Sequence, residues 1–243
     1  MINLAIIGYG KMGKQIESII DSNEFKVVSI LDVNDNISQM STSTDVAIEF
    51  TAPKSVLANI EALASRGINI VCGTTGWYHD TDRVKAIISK YGTGFVYASN
   101  FSIGVNIFFQ IVRSSGELMD KFKQYNVHVE ETHHTEKLDK PSGTAIRAAE
   151  FLMEALKDKA SLTNDKETPA NTELNIISKR IENAVGNHKV IFESEADTIT
   201  LEHNAKSRRG FAEGALVAAR FIDGKKGFFK FEDIFLNLIQ TSK

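Results

Sequence analysis

Between Glu130 and Ala145 the chain reads Glu-Glu-Thr-His-His-Thr-Glu-Lys-Leu-Asp-Lys-Pro-Ser-Gly-Thr-Ala, a run dense in proton carriers and anion binders. His133, His134, Lys137 and Lys140 precede Pro141-Ser-Gly-Thr144, which has the form of a helix start. Ser142 can cap that helix, leaving the amides of Gly143 and Thr144 facing outward for a carboxylate. A histidine, a lysine and an open helix N-terminus together suit an anionic substrate that must be protonated. Plainer readings stand beside this one: either histidine as a satisfied structural side chain, the lysines as solvated loop charges. No metal site is expected. Neighbouring residues of an extended strand point to opposite faces, and no second Cys or His cluster stands at ligand spacing.

A second chemical stretch lies at the N-terminus. Gly8-Tyr-Gly-Lys-Met-Gly13 fits G-x-G-x-x-G, a pattern that is weak alone because glycine pairs occur in many turns. Here it follows an apolar run, opens a helical pattern, and has Asp32 nineteen residues beyond Gly13, the context a dinucleotide-binding turn requires. Gly8 permits the turn, Gly10 lets the backbone approach a pyrophosphate, and Gly13 lets helix pack on sheet. A carboxylate at Asp32 accepts from a ribose 2′-hydroxyl and repels a 2′-phosphate, and Val33 follows instead of an arginine. NADH is therefore favoured over NADPH. Lys11 leaves the second cofactor open, since it reads equally as a partner for a 2′-phosphate or as a solvated lysine.

The elements that must position these groups follow from periodicity. Ile2–Ile7, Phe25–Leu31, Val46–Phe50, Ile68–Cys72 and Gly94–Ala98 read as buried strands, with helices expected over Lys11–Ser22, Pro53–Ser65 and Asp80–Lys90. That alternation implies crossover helices and a Rossmann-type, doubly wound parallel sheet, an α/β fold. Gly73-Thr74-Thr75-Gly76 and Ala98-Ser99-Asn100-Phe101 each follow a strand, where doubly wound sheets bind ligands. After Phe101 the rhythm changes. A long helix to about Asp120, a strand over Tyr125–Thr132 and a helix over Pro141–Leu156 are expected. Lys159–Asn171 reads as an exposed loop, and strands follow over Glu173–Ile181, His188–Ser194 and Thr198–Ala205, the last two as a hairpin. Helices over Arg209–Ile222 and Phe231–Ile239 close the chain around a glycine-broken stretch. The expected organisation is a dinucleotide-binding domain of residues 1–104 plus 208–243, and an α+β domain of residues 105–207 with a mixed or antiparallel sheet.

Composition sets the bounds. The 243 residues are 42% hydrophobic and 24% charged, with a net charge of -3, which speaks against nucleic-acid or membrane-surface partners. The single cysteine, Cys72, excludes an intrachain disulfide framework and favours a cytoplasmic setting; after an apolar run it reads as a buried, inert thiol. Nothing resembles a signal peptide, and no apolar run approaches the ~20 residues that span a bilayer.

Glu131 to Ala145 resembles the signature of the 4-hydroxy-tetrahydrodipicolinate (dihydrodipicolinate) reductase family of lysine and diaminopimelate biosynthesis. The resemblance extends to Gly8–Gly13, Cys72–Gly76, Ala98–Asn106, and His203-Asn-Ala-Lys-Ser-Arg208 with Phe211. It implies that His133 exchanges a proton at the reacting carbon and that Lys137 is a second proton donor. His134, Gly143 and Thr144 would bind the dicarboxylate. Gly8, Tyr9, Gly10, Lys11, Met12, Gly13 and Asp32 would hold the adenosine-pyrophosphate half of the cofactor. Gly73, Thr74, Thr75, Ala98, Ser99, Asn100 and Phe101 would flank the nicotinamide, with Arg208 near the cofactor. The implied reaction is hydride transfer to a conjugated imine formed as a hydroxyl leaves as water, followed by protonation from His133. A histidine suits that step because unperturbed imidazole titrates near about 6.5. Family members are similar in being homotetramers built through their second domain. Thr132 and Lys140 depart from smaller residues, and Val33 from a basic residue in some members.

Two competing readings share the N-terminal turn. Another two-domain amino-acid dehydrogenase, of the aspartate or homoserine type, has no need of His-His-x-x-Lys ahead of Pro-Ser-Gly-Thr. A redox sensor that holds NAD without turnover would lack a proton donor.

Overall fold

The computed structural model describes residues 1–240 of the chain. Its first part alternates strands and helices: β1 (Ile2–Ile7), α1 (Lys11–Glu17), β2 (Phe25–Leu31), β3 (Val46–Glu49), α2 (Val56–Ser65), β4 (Asn69–Cys72), α3 (Thr81–Tyr91) and β5 (Gly94–Tyr97). Then come α4 (Ile103–Met119), β6 (Asn126–His133), α5 (Gly143–Ala155), β7 (Ser161–Asn164), β8 (Glu173–Arg180), β9 (Asn187–Glu193) and β10 (Thr198–Asn204). The chain ends with α6 (Arg209–Ile222), β11 (Gly227–Lys230) and α7 (Phe231–Gln240). Two compact units result: Met1–Ile103 with the chain from Arg208 onward, and Gly104–Ser207.

The first unit holds a six-stranded parallel sheet in the order β11-β5-β4-β3-β1-β2. Sequence order reverses between β2 and β3, which flank β1, so the switch point of this sheet lies at the C-terminal ends of β1 and β3. The strands are short apolar runs because both faces are covered. Leu4, Ile6, Val46, Ile48, Val71 and Val96 are buried with Ala215 and Ala219 in one cluster, and Ala5, Ala47, Ile70 and Phe95 with Ile60 and Leu63 in another. Each large side chain so buried contributes roughly 1.5–3 kcal/mol. α6 approaches unusually closely: a Cβ on Gly214 would fall 1.8 Å from the Phe101 carbonyl oxygen.

The second unit holds a mixed sheet in the order β10-β9-β6-β8-β7. β6 runs parallel to β8 and antiparallel to β9, and β9 and β10 form an antiparallel hairpin closed by Ser194 and Asp197. Along β6, Val127, Val129, Glu131 and His133 are buried while His128, Glu130 and Thr132 are half-exposed. The buried row faces a core containing Val105, Phe109 and Val112 of α4 and Ala148, Ala149 and Leu152 of α5. At its C-terminal end this row changes from valine to glutamate and histidine.

Three expectations need correction. The segment Lys159–Asn171 is not wholly loop, because Ser161–Asn164 forms the edge strand β7, parallel to β8. The glycine-broken stretch before α7 contains β11, which extends the first sheet beside β5. α1 ends at Glu17 rather than Ser22, its last amides turning back in three-residue steps from Ile19 to Ile16 and Ile20 to Glu17.

Candidate functional site

The chemistry-bearing residues of the first unit gather where β1 and β3 end. Gly8 has a φ of +93, and a Cβ there would lie 2.2 Å from the Phe50 carbonyl oxygen, so only glycine fits. Gly13 is as constrained: its Cβ would lie 2.3 Å from the Gly8 carbonyl oxygen, since α1 rests directly on the turn that precedes it. Gly10 differs. Nothing stands within 4 Å of a Cβ built there, so its bareness keeps open the space in front of the α1 N-terminus. That space belongs to a cleft of about 360 Å³, whose lining includes Gly8, Gly10, Asp32, Val33, Asp35 and Thr51. The Tyr9 amide donates to Asp32 Oδ1 at 3.3 Å, joining the glycine turn to the end of β2. Asp35 Oδ2 accepts from the Asp32 amide at 2.8 Å, placing a second carboxylate on the same wall.

The cleft's other wall rests on Glu49, which is fully buried. Its carboxylate accepts from Thr51 Oγ1, from Asn59 Nδ2 at 3.2 Å and from Cys72 Sγ at 3.5 Å. Cys72 is buried as expected, and burial with the neighbouring Glu49 charge pushes its thiol well above the usual range, which disfavours the reactive thiolate. Gly73 is required by packing, because a Cβ would lie 2.1 Å from the Phe50 ring. Thr74 Oγ1 accepts from the Thr51 amide at 2.8 Å, bonding the ends of β3 and β4 together. Gly73–Thr75 and Ala98–Phe101 follow β4 and β5 but do not line the 360 Å³ cleft. Phe101 is buried against Phe50 and Phe231, so its side chain serves the core. Met12 also packs on that core, whereas Lys11 is exposed and Arg208 stands exposed at the N-cap of α6.

In the second unit His133 is the last residue of β6 and Ser142 caps α5, with Oγ accepting from the Ala145 amide at 3.2 Å. Glu131, two residues before His133 and therefore on the same face of the strand, connects them. Its Oε2 lies 3.1 Å from His133 Nδ1, off the axis of a straight hydrogen bond, and accepts from the Ser142 amide at 3.1 Å. Its Oε1 accepts from both terminal nitrogens of Arg180, each at 3.2 Å. Burial alone would raise the Glu131 carboxyl. Hydrogen bonds from His133, Ser142 and Ser178 outweigh it and hold the group well below the usual carboxylate range.

His188, across the antiparallel ladder from Glu131, packs edge-on to His133 with ring centroids 5.0 Å apart. Burial, then the neighbouring His133, depresses it to about 3, so it is neutral, and its Nε2 shares a hydrogen bond with Ser142 Oγ at 3.3 Å in which the tautomer decides the donor. Glu131, His133 and His188 offer donor atoms within 4.8 Å of one another, a grouping that can hold a cation. Here the Glu131 carboxylate is already shared among protein donors and carries the Arg180 charge beside it, so the chemistry is that of a hydrogen-bonded network.

The remaining expected residues border this cluster. His134 follows the strand, half-exposed. Lys137 Nζ is paired with both Asp139 oxygens, at 2.6 and 2.7 Å. Arg180 also donates to the carbonyls of Lys137 and Asp139, fastening the loop between β6 and α5. Around Gly143, a Cβ would meet nothing within 4 Å, so the first turn of α5 is open to a ligand. Sequence reasoning assigned no role to Glu131, Arg180, His188 or Gly186. The signal for them is the register that sets Glu131 opposite His188 and His133 opposite Arg180.

A parallel sheet with a glycine-shaped turn at its switch point, joined to a second unit with a charged, proton-carrying cluster, defines a two-unit NAD(P)-binding oxidoreductase. Residues 2–101 match the family model for the N-terminus of dihydrodipicolinate reductase, and residues 104–235 the model for its C-terminus. The chain is 40% identical to the 4-hydroxy-tetrahydrodipicolinate reductase of Christiangramia forsetii, over 99% of this chain and 100% of that one. It is 34% identical to the enzyme of that name from Methanococcoides burtonii, over 96% and 99%. Its fold is similar to that of a dipicolinate-bound dihydrodipicolinate reductase from Paenisporosarcina sp. TG-14, with a TM-score of 0.73 at 22% identity, covering 96% of this chain and 100% of that one. The chain belongs to the dihydrodipicolinate reductase family.

Proposed function

We propose that the chain reduces (2S,4S)-4-hydroxy-2,3,4,5-tetrahydrodipicolinate to 2,3,4,5-tetrahydrodipicolinate with loss of water, within lysine and diaminopimelate biosynthesis. The observation that carries this reading is a buried imidazole, His133, whose Nδ1 stands 3.1 Å from the Glu131 oxygen that also accepts from the Ser142 amide at the open N-terminus of α5. Within that cluster His133 supplies the proton at the ring carbon, and Lys137, released from Asp139, supplies a second proton and a positive charge. His134 and the first amides of α5, at Gly143 and Thr144, bind the dicarboxylate.

The glycine turn, with Gly8, Gly10 and Gly13, fits a dinucleotide, because the space before α1 is clear and the turn around it is fixed. Its pyrophosphate would meet the α1 N-terminus at Gly10–Met12, and Tyr9 would steady Asp32 for the ribose. A bound nicotinamide would supply the hydride, and in this reading Gly73–Thr75, Ala98–Phe101 and Arg208 flank the cofactor. NADH is preferred, because Asp32 and Asp35 both face the cleft and Val33 brings no cation. In this reading the first unit is the dinucleotide-binding domain and the second the substrate-binding and oligomerisation domain of a cytoplasmic homotetramer.

The test is oxidation of NADH and NADPH by the purified chain, supplied with the product of the preceding synthase step. Turnover faster with NADH is expected. No oxidation of either cofactor overturns the reading, and tighter NADPH binding by calorimetry overturns the preference.

A further inference from the structure

Glu131 is the most enclosed carboxylate of the second unit, at 0% exposure, and it lies between the two pieces of chemistry assigned above. One oxygen faces His133 Nδ1 and the Ser142 amide; the other is gripped by the Arg180 fork. We propose that Glu131 is a positioning residue, a clamp that sets the ring of His133 and the start of α5 in one fixed relation, with Arg180 holding the clamp. This deepens the proposed function and rests on its assignment of His133.

Four features carry the idea. The Glu131 carboxylate has no route to solvent, so its charge acts on its neighbours with little screening. A carboxylate beside Nδ1 selects the imidazole tautomer that carries its hydrogen there, which leaves Nε2 to exchange protons with a ligand. The space in front of Nε2 is kept clear: a Cβ on Gly186 would stand 3.3 Å from it, and that position holds glycine. The Ser142 bond adds a constraint that an isolated carboxylate–histidine pair lacks. The oxygen that aims the ring also accepts from the N-cap of the anion-binding helix, while Ser142 Oγ reaches His188, which packs against the same ring. Moving the ring therefore disturbs the helix start, and the reverse.

Glu131→Gln keeps the shape and removes the charge. The expected result is a fall in kcat of roughly 10²-fold, the scale on which small misplacements act, with a change in KM of less than about threefold. Nitrogen NMR of the His133 ring should show loss of the single Nδ1–H tautomer. If Glu131 acts through His133, the double variant Glu131→Gln/His133→Gln will be no slower than His133→Gln alone. Unchanged kcat and tautomer in Glu131→Gln, or a full extra loss in the double variant, overturns the proposal. A His133→Gln enzyme with near-normal kcat overturns the proton-donor assignment instead, so the two failures are distinct. Should Glu131→Gln fail to fold because Arg180 is left unpaired, Glu131→Asp retains that charge pair while withdrawing the oxygen from the ring. It should lose kcat and the tautomer preference together, and full activity in it overturns the proposal.

Discussion

The two chemical regions are built on opposite principles. At the glycine turn, function is shaped by absence: Gly8 and Gly13 are bare because carbonyl oxygens crowd them, and Gly10 leaves its front clear. Its carboxylates, Asp32 and Asp35, are exposed. Around His133, function is shaped by presence. Glu131, Arg180, Ser142 and His188 surround the ring, and the group at the centre has almost no contact with solvent. A region that binds through backbone amides is specified by what is missing from it. A region suited to moving protons is specified by the charged and polar groups packed around its ring. Damage should therefore differ in kind, affecting affinity at the turn and rate at the cluster.

The largest effect should come from His133→Gln, with kcat lowered about 10²–10⁴-fold, the range of general acid help, while substrate KM changes little. A variant that chiefly weakened substrate binding would erase the contrast between the regions. Gly8→Val should instead abolish cofactor binding, measured by calorimetry. A side chain at a φ of +93 against a carbonyl 2.2 Å away should also cost on the order of 2–4 kcal/mol in urea unfolding.

A third test concerns pH. Burial, then His133, holds His188 at about 3, below its unfolded value, so the unfolded chain gains a proton first. The neutral ring's contribution is complete above pH ~6.5 and is lost as pH falls toward 3, by about 1.4 kcal/mol per unit. Glu131, held low, adds to that loss once pH falls below its ordinary value of 4.5, where the unfolded carboxyl protonates first. Urea midpoints between pH 7 and 4 should decline less steeply in His188→Gln, and an unchanged slope would locate the pH sensitivity elsewhere. The smallest effect is expected at the exposed wall of the cleft. Asp32→Ser should shift the NADH-to-NADPH affinity ratio by roughly tenfold, about 1.4 kcal/mol, with kcat retained.

How much was legible in sequence follows the same division. The glycine turn, its flanking strands and Asp32 lie within thirty-two residues of the N-terminus, so spacing alone placed them. The signature around His133 was equally visible, yet its partners were not: Arg180 lies 49 residues from Glu131, and only strand register joins them. β7 and β11 escaped for another reason. Each is a four-residue edge strand, one polar and exposed, the other beginning at a glycine, so neither carries the apolar run that marks an interior strand. Phe101 shows the converse limit, since a residue at a strand's end can be positioned toward a ligand by its backbone while its ring belongs to the core.

The pairing of β11 with β5 also sets an order of events during synthesis. β5 is finished at Tyr97, but its outer neighbour begins only at Gly227, after all of Gly104–Ser207 has been made. At the usual pace of a ribosome, that interval is on the order of ten seconds. Throughout it, the nascent first sheet presents the free edge of β5, and the helix that will press Gly214 against Phe101 does not yet exist. The inserted unit can collapse on its own core in that time, whereas the dinucleotide fold must wait for the last part of the chain.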